Sequence, residues 1–418
     1  MNVVVLGAGG QGGPCASILA RDADVKKIKL CDINLPLLEK VRDKIKSDKL
    51  TIEQVDASKV EDIQRVLKGY DVVIDLVTAS LFVNVYEAAL KEGLHYINTA
   101  WEEVLYEDFD PNNTKTGNLT ANSKLKLSDE FKAKGLTAIL GCGMTSGYTT
   151  NVLIRYYSDR MDTIESVKIR LAKKDTSIPD GMDILKPWNP GWDPKTALLD
   201  FVADTNKFEN GEFVRICEPF AEPEMWDFPE PVGKTLVTHH AHEEPFSIPM
   251  YFKDKGLKYC DFKYYANPQI APMVVLGLGN TEEIEVNGAK IKPLDFVVHH
   301  VAKPGDAFLA EDPANFEKAD QTQHVSIMTE IIGTKDGKTI KYLINFTNPT
   351  APRQLMYDTY GTSMINVALP AVIGAKMAVE GTTKGTISPH AMDPERFIEL
   401  IRKSGYTKEW DVQMEILD

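Results

Sequence analysis

The sequence predicts an α/β chain: an N-terminal Rossmann domain with a doubly wound parallel sheet, then an α+β domain with a mostly antiparallel sheet. Three observations predict it. An apolar run, Val3-Val4-Val5-Leu6, empties into Gly7-Ala8-Gly9-Gly10-Gln11-Gly12. Apolar strands then alternate with helical patterns as far as Leu140, the rhythm of parallel βαβ units. Beyond that point the period changes to two, and Asn287-Gly288 and Asp336-Gly337 mark hairpin turns.

Each early element has its own physical reason. Gly7 turns the chain off the first strand, Gly9 lets backbone approach a pyrophosphate, and Gly12 allows close helix–strand packing. Gly10 and Gln11 complete the loop, and the free N–H groups of the following helix favour the phosphates. Lys27 to Asp32 reads as a second strand ending in an acid. Asp32 is placed to accept hydrogen bonds from the adenosine ribose hydroxyls, with Ile33 beside it. A carboxylate there repels a 2′-phosphate, and Ile33-Asn34-Leu35-Pro36 supplies no arginine to receive one. The expected cofactor is therefore NAD rather than NADP.

Pro36 to Ser47 reads as a helix and Ile52 to Val55 as a strand, leading to Asp56 and Ala57 beside the adenine. A helix over Val60 to Leu67 precedes the continuous apolar run Asp71 to Leu76, suited to a strand buried on both faces. Val77, Thr78 and Ala79 follow at its carboxyl end, where doubly wound sheets bind ligands. Val83 to Lys91 is helical, His95 to Asn98 a strand, Ser123 to Lys134 helical, and Leu136 to Leu140 the sixth strand.

That strand runs into Gly141-Cys142-Gly143-Met144-Thr145-Ser146-Gly147-Tyr148, a second glycine-rich turn before a helix. Its place brings Cys142 and Gly143 beside the nicotinamide. Cys142 has no neighbouring base or cation to activate it, so a packing thiol is expected. Met364 to Val379 is an apolar helix expected to return to the first domain. The expected domains are residues 1–145, with 355–418 packing back on them, and 146–354 for substrate and dimerisation.

Composition narrows the function. A chain of 418 residues, 43% hydrophobic and 26% charged, suits two soluble domains. A net charge of −14 without a basic run argues against nucleic acid or anionic membrane as partner. No apolar stretch is long enough to span a bilayer. The five scattered cysteines form no CxxC, and the first strand starts near Met1, so a reduced, cytoplasmic protein is expected. A homodimer is the expected assembly on general frequency.

The ordered segments resemble the saccharopine dehydrogenase family, nearest its lysine 6-dehydrogenase branch. Gly143-Met144-Thr145-Ser146-Gly147 occupies the family's GxxPG-type junction, with serine in place of proline. Further likeness lies in Ala197 to Phe201 before Glu209-Asn210-Gly211, in Val286 to Asp295, in Gly333 to Lys338, in Met364 to Gly381 and in Gly385 to Pro389. The resemblance implies an NAD-dependent dehydrogenase that oxidises a C–N bond of a basic amino acid through an imine, with lysine oxidised at its 6-amino group as first choice. Saccharopine-type and polyamine-type (homospermidine-like) dehydrogenases are alternatives, and a silent NAD-binding redox sensor is the rival of another class.

Imine chemistry requires a neutral amine and a proton carrier. Thr238-His239-His240-Ala241-His242-Glu243-Glu244 is the evident cluster. His239 or His240 is expected as the acid–base group, with Glu243 or Glu244 orienting it or binding an ammonium. A metal is not expected, because alternation along a strand sends His239 away from His240 and His242. His299-His300 reads as a strand pair. Met144, Thr145, Tyr148 and Trp188 are expected at the substrate, and Arg215 and Arg353 are candidates for its carboxylate.

Overall fold

The computed structural model describes residues 1–417 apart from 111–118, 180, 186, 191, 302–303, 348–351 and 407. The first unit runs β1 (Asn2–Leu6), α1 (Gly12–Arg21), β2 (Lys27–Asp32), α2 (Leu35–Ile45), β3 (Leu50–Gln54), α3 (Val60–Leu67), β4 (Val72–Asp75), α4 (Phe82–Glu92), β5 (His95–Asn98), α5 (Ser128–Ala133) and β6 (Thr137–Ile139). Its strands are parallel in the order β6-β5-β4-β1-β2-β3. The order reverses between β1 and β4, so a ligand crevice lies above their carboxyl ends. Val3, Val5 and Ile74 point into one core, Val4, Leu6 and Val73 into another. Each of these side chains contributes about 1.5–3 kcal/mol by leaving water.

The helix expected from Ser123 shortens to α5. Glu107 N–H donates to the Lys124 carbonyl at 2.9 Å and Lys126 N–H to that of Leu105 at 2.8 Å, so 124–126 pair with an earlier loop instead of coiling.

The second unit follows with α6 (Leu153–Ser158), β7 (Thr163–Asp175), α7 (Pro194–Leu199), β8 (Thr205–Glu209), β9 (Glu212–Ile216), β10 (Glu224–Asp227), β11 (Lys234–His239), α8 (Glu244–Phe252) and β12 (Tyr259–Tyr265). Next come α9 (Ile270–Val275), the hairpin β13 (Ile284–Val286) and β14 (Ala289–Ile291), α10 (Pro293–His300), α11 (Pro304–Leu309), α12 (Phe316–Thr322), β15 (Gln323–Lys335) and β16 (Lys338–Thr347). Its sheet is mixed: β12 and β7 are parallel, while β7, β15 and β16 are antiparallel neighbours. The Asp336-Gly337 turn joins β15 to β16, whereas Asn287-Gly288 closes a small hairpin outside this sheet. His299 and His300 end α10 rather than pair in a strand, because Pro293 at the first helical turn, with Asp295 behind it, starts a helix there.

The C-terminal stretch, α13 (Arg353–Tyr360), α14 (Ala368–Glu380), β17 (Gly385–Ile387), α15 (Pro394–Lys403) and β18 (Asp411–Ile416), completes both sheets. The apolar helix α14 returns to α1, β4, β5 and β6, and β17 adds a seventh parallel strand beside β6. By contrast β18 leaves the first unit and pairs with β16, so 355–418 does not belong wholly to the nucleotide-binding side.

One buried acid tests this core. Asp75 ends β4, accepts hydrogen bonds from Tyr96 Oη (2.8 Å) and Val77 N–H (3.2 Å), and is pushed by burial up to about 7 from 3.8. The folded chain thus holds a proton that the unfolded chain has lost, so this group's stability contribution falls as pH rises from about 4 to about 7. Asp75→Asn is expected to remove that slope, worth about 4 kcal/mol, in denaturant melts across the range.

Candidate active site

The crevice is built for a dinucleotide. Gly7 has φ +95°, and a Cβ on it would overlap the Leu76 carbonyl; one on Gly12 would overlap that of Gly7. At Gly9 a Cβ would meet nothing within 4 Å, so the space beside this backbone is open to a ligand. The amide oxygen of Gln11 is buried without a hydrogen-bond partner. Asp32 is held by Ala8 N–H (2.7 Å) and Asn34 N–H (2.8 Å), which fixes its carboxylate at the loop. These residues fit a nicotinamide dinucleotide. Asp56 is turned inward on its own loop, accepting from Ser58 N–H and Oγ at 3.0 and 2.6 Å.

Above the carboxyl end of β6 lies a chain of buried polar groups. A Cβ on Gly141, whose φ is +74°, would overlap the Glu243 carboxylate. Glu243 Oε1 accepts from Asn151 Nδ2 at 3.1 Å, while Oε2 has no partner. Asn151 also lies 3.3 Å from Ser247 Oγ and from His390 Nδ1, and its Oδ1 accepts from Gly147 N–H at 3.0 Å. The Thr150 hydroxyl is 2.9 Å from Asn151 Oδ1 and 2.8 Å from Glu244 Oε1, and Glu244 Oε2 meets His242 Nδ1.

The two adjacent acids divide one charge. Burial and the Glu244 carboxylate hold Glu243 well above the usual carboxylate range, against the Ser146 and Asn151 hydrogen bonds. Burial alone would depress His242, but Glu244, with Asp200 beyond it, raises it. Glu244 thus pairs with His242, and Glu243 is the acid whose hold on a proton is strengthened. Asp200 is pushed up to about 7 by desolvation and by Glu102 and Asp193, against His242. Glu103 is likewise pushed up to about 7 by burial and by Glu102 and Asp204, although Arg215 opposes this. Aromatic rings pack on the neighbouring histidines: Phe201 and Tyr264 on His240 at 4.5 and 4.9 Å, and Phe262 on His242 at 4.1 Å.

A family model for the saccharopine dehydrogenase NADP-binding domain matches residues 3–139. The first third of the chain is thus similar to the NADP-binding domain of that family. Among full-length relatives, a carboxyaminopropylagmatine dehydrogenase of Synechocystis sp. is 24% identical over 96% of both chains. A carboxynorspermidine synthase of Vibrio cholerae is 24% identical over 99% of this chain and 97% of its own. In fold the chain is similar to the L-Glu-forming saccharopine dehydrogenase of Saccharomyces cerevisiae, with a TM-score of 0.64 at 16% identity over all of both chains. It is also similar to the homospermidine synthase of Legionella pneumophila, with a TM-score of 0.60 at 14% identity over 99% and 91% of the chains.

On this framework the expected site residues separate. Gly143 N–H donates to the Ser146 carbonyl at 3.0 Å, closing the junction loop, and the Thr145 and Thr149 hydroxyls lie 2.9 Å apart. Glu243 stands at the sheet edge and His240 beside Asp200's loop, where the Asp200 carbonyl accepts from Ala241 N–H at 3.1 Å. Trp188 packs near Phe201 and Tyr264. His239 does not join them: it ends β11 facing the other way and meets Glu222 at 3.0 Å, as alternation along a strand requires. Tyr148 is a core residue stacked on Phe397 at 5.8 Å, and Met144 is buried with it. Arg215 is committed to Asp204 at 2.5 Å and Arg353 to Asp320 at 2.5 Å. Cys142 is a packing thiol, pushed up by burial and seated against Gly374.

Sequence reading missed Asn151, Glu102, Asp200 and His390, which have no motif of their own. Position was their only signal: Asn151 follows the junction glycines, and Glu102 follows the fifth strand. Lys173, 5.9 Å from the Tyr264 ring, is a further cation near His240.

The contact between Gly141 and Glu243 is open to a double-mutant cycle. Gly141→Ala is expected to cost about 1–3 kcal/mol from overlap and positive φ. Gly141→Ala with Glu243→Ala should recover the overlap part, visible as a smaller fall in Tm than the two single changes sum to.

Proposed function

We propose that this chain is an NAD-dependent dehydrogenase of the polyamine type, making or breaking a C–N bond between an amino-acid fragment and a basic amine through an imine. One observation carries the reading: the partnerless, protonated carboxyl oxygen of Glu243 at the sheet's carboxyl edge, linked through Glu244 and His242 to the acids around Asp200. The names of the full-length relatives, both carboxylated derivatives of basic amines, support this alternative over oxidation of lysine at its 6-amino group. Residues 1–145 with the segment through β17 then hold the nucleotide, and 146–354 with β18 the substrate.

When bound, the dinucleotide supplies or accepts a hydride at the substrate carbon. Glu243, as a neutral acid, gives its proton to the imine nitrogen, which makes the carbon electrophilic, and recovers it in the opposite direction. His240 is held neutral by burial, with its Nδ1 free of partners, and accepts a hydrogen bond from the neutral amine. Glu102, Glu103 and Asp200 hold the amine's distal cation, and Lys173 faces the amino-acid carboxylate. Asp32, fixed by two backbone donors, favours NAD over NADP through repulsion of a 2′-phosphate.

The test follows NAD(P)H absorbance with agmatine or a primary diamine plus an amino-acid aldehyde, beside lysine and saccharopine with NAD. Turnover with the first pair is expected; turnover with lysine alone would restore lysine oxidation, and tight NAD binding without turnover would favour the sensor. Glu243→Gln is expected to lower kcat by roughly 10²–10⁴-fold with NAD affinity unchanged. Because Asp200 and Glu103 ionise near about 7, the KM for the amine should fall as pH rises through that value. Asp32→Ala should weaken NAD by about 1.5–3 kcal/mol and narrow its margin over NADP in fluorescence titrations.

A further inference from the structure

The turn that leads into α6 is wider than an α-helix. Tyr148 N–H donates to the Gly143 carbonyl, Thr149 N–H to that of Met144 and Val152 N–H to that of Gly147, at 2.9, 2.9 and 3.0 Å. Each bond joins residues five apart instead of four, a rare turn found frequently at functional sites. It swings the fully buried Asn151 back over the junction loop and against the Glu243 carboxyl.

The Asn151 amide can face only one way. Gly147 N–H lies 3.0 Å from its Oδ1, and a backbone N–H only donates. A reversed amide would set Nδ2, also a donor, against it. Nδ2 therefore carries its hydrogens to the other side, where Glu243 Oε1 lies at 3.1 Å and Ser247 Oγ and His390 Nδ1 both at 3.3 Å. Facing a donor, His390 Nδ1 accepts, so the ring's proton is on Nε2. Burial and the Arg155 guanidinium keep that ring neutral, pushing it down to about 3, and Arg155 Nη1 holds the His390 carbonyl at 3.0 Å. Because Glu243 Oε1 accepts, the hydrogen of the neutral acid belongs to Oε2, the oxygen without a partner.

We propose that Asn151 is a positioning residue: held by Gly147 N–H and backed by His390, it fixes the Glu243 proton on Oε2, beside Gly141. This rests on the reading of Glu243 as proton donor to the imine. Without the Nδ2 donor the two oxygens lose their distinction, and the carboxyl turns freely about its last bond, whose torsion is broad. The proton is then aimed at the reacting nitrogen for only part of the time. Glu244 from its own helix, Cys142 from the junction and Tyr106 from the loop after β5 also face Glu243. Burial pushes the Cys142 thiol and the Tyr106 hydroxyl far above neutrality, so neither adds a charge. The Asn151 N–H favours the carboxylate form, so its loss raises Glu243 further.

Two measurements on the full chain test this, and the first needs no substrate. In infrared spectra of the resting protein, the carboxyl C=O band that Glu243→Gln removes belongs to Glu243. Asn151→Ala should move that band to higher frequency, because Oε1 loses the hydrogen bond that weakens its double bond. The second follows NADH oxidation with the amine–aldehyde pair. Asn151→Ala and Asn151→Asp should lower kcat roughly ten- to hundredfold and leave the KM for NADH unchanged. The basic limb of the kcat profile should rise by about one pH unit in both, through the lost donor or the added carboxylate. Asn151→Asp keeps an oxygen for Gly147 N–H, so the turn survives even where the alanine variant fails to fold. A band that Asn151→Ala leaves in place, or a loss of kcat with the basic limb unmoved, would overturn the proposal. An inactive Glu243→Gln beside fully active Asn151 variants would overturn it alone; full activity in Glu243→Gln would overturn the reading beneath it as well.

Discussion

Gly141 is the point on which the rest of the molecule depends. It ends the sixth parallel strand, and the room left by its missing Cβ is filled by the Glu243 carboxylate at the start of α8. One contact thereby registers the second unit against the carboxyl edge of the nucleotide-binding sheet. Any side chain there would move both units, since the backbone at this point already adopts a positive φ. The junction loop is built the same way: a Cβ on Gly147 would overlap the Gly143 carbonyl.

That contact puts a carboxyl group in a place with little water, and the neighbouring residues decide its charge. Two adjacent buried acids cannot both ionise without a cation nearby. His242 supplies one to Glu244, and none reaches Glu243, whose carboxyl burial holds well above the usual carboxylate range. On the opposite face of the second sheet the solution is different. Arg170 is buried and bidentate on Asp261, with Glu224 at 2.7 Å and Lys263 beside it, so every charge there has a counter-charge. Glu222, bonded to Lys207 and His239, is drawn down to about 2. One face is a fully compensated structural network; the other is short of cations.

Much of the fold is legible in local pattern. The glycine loop and Asp32, the helix at Val60–Leu67, the strand at His95–Asn98 and the hairpin at Asp336-Gly337 stand where periodicity and turn chemistry locate them. Local pattern misleads where long-range pairing wins. Residues 124–126 have helical spacing but pair with 105–107, and Tyr148 sits in a substrate-like segment yet points into a ring of aromatics from the distant C terminus.

The sequence by itself determined the parallel sheet, the dinucleotide loop and the apolar helix that returns to it, because each is written in contiguous residues whose spacing has one physical solution. It also contained the rule that His239 and His240 cannot face the same way, since a strand alternates its side chains. Only the tertiary structure decided which of the two enters the site. Only it drew Glu102, Asn151, Asp200, Glu243 and His390 together from separate stretches of the chain, and sent β17 to one sheet and β18 to the other. Proximity of that kind is set by which buried faces meet, and so are the charges on the acids that meet there: a carboxyl group's protonation depends on the water and counter-charges around it, and these come from residues far away in the chain.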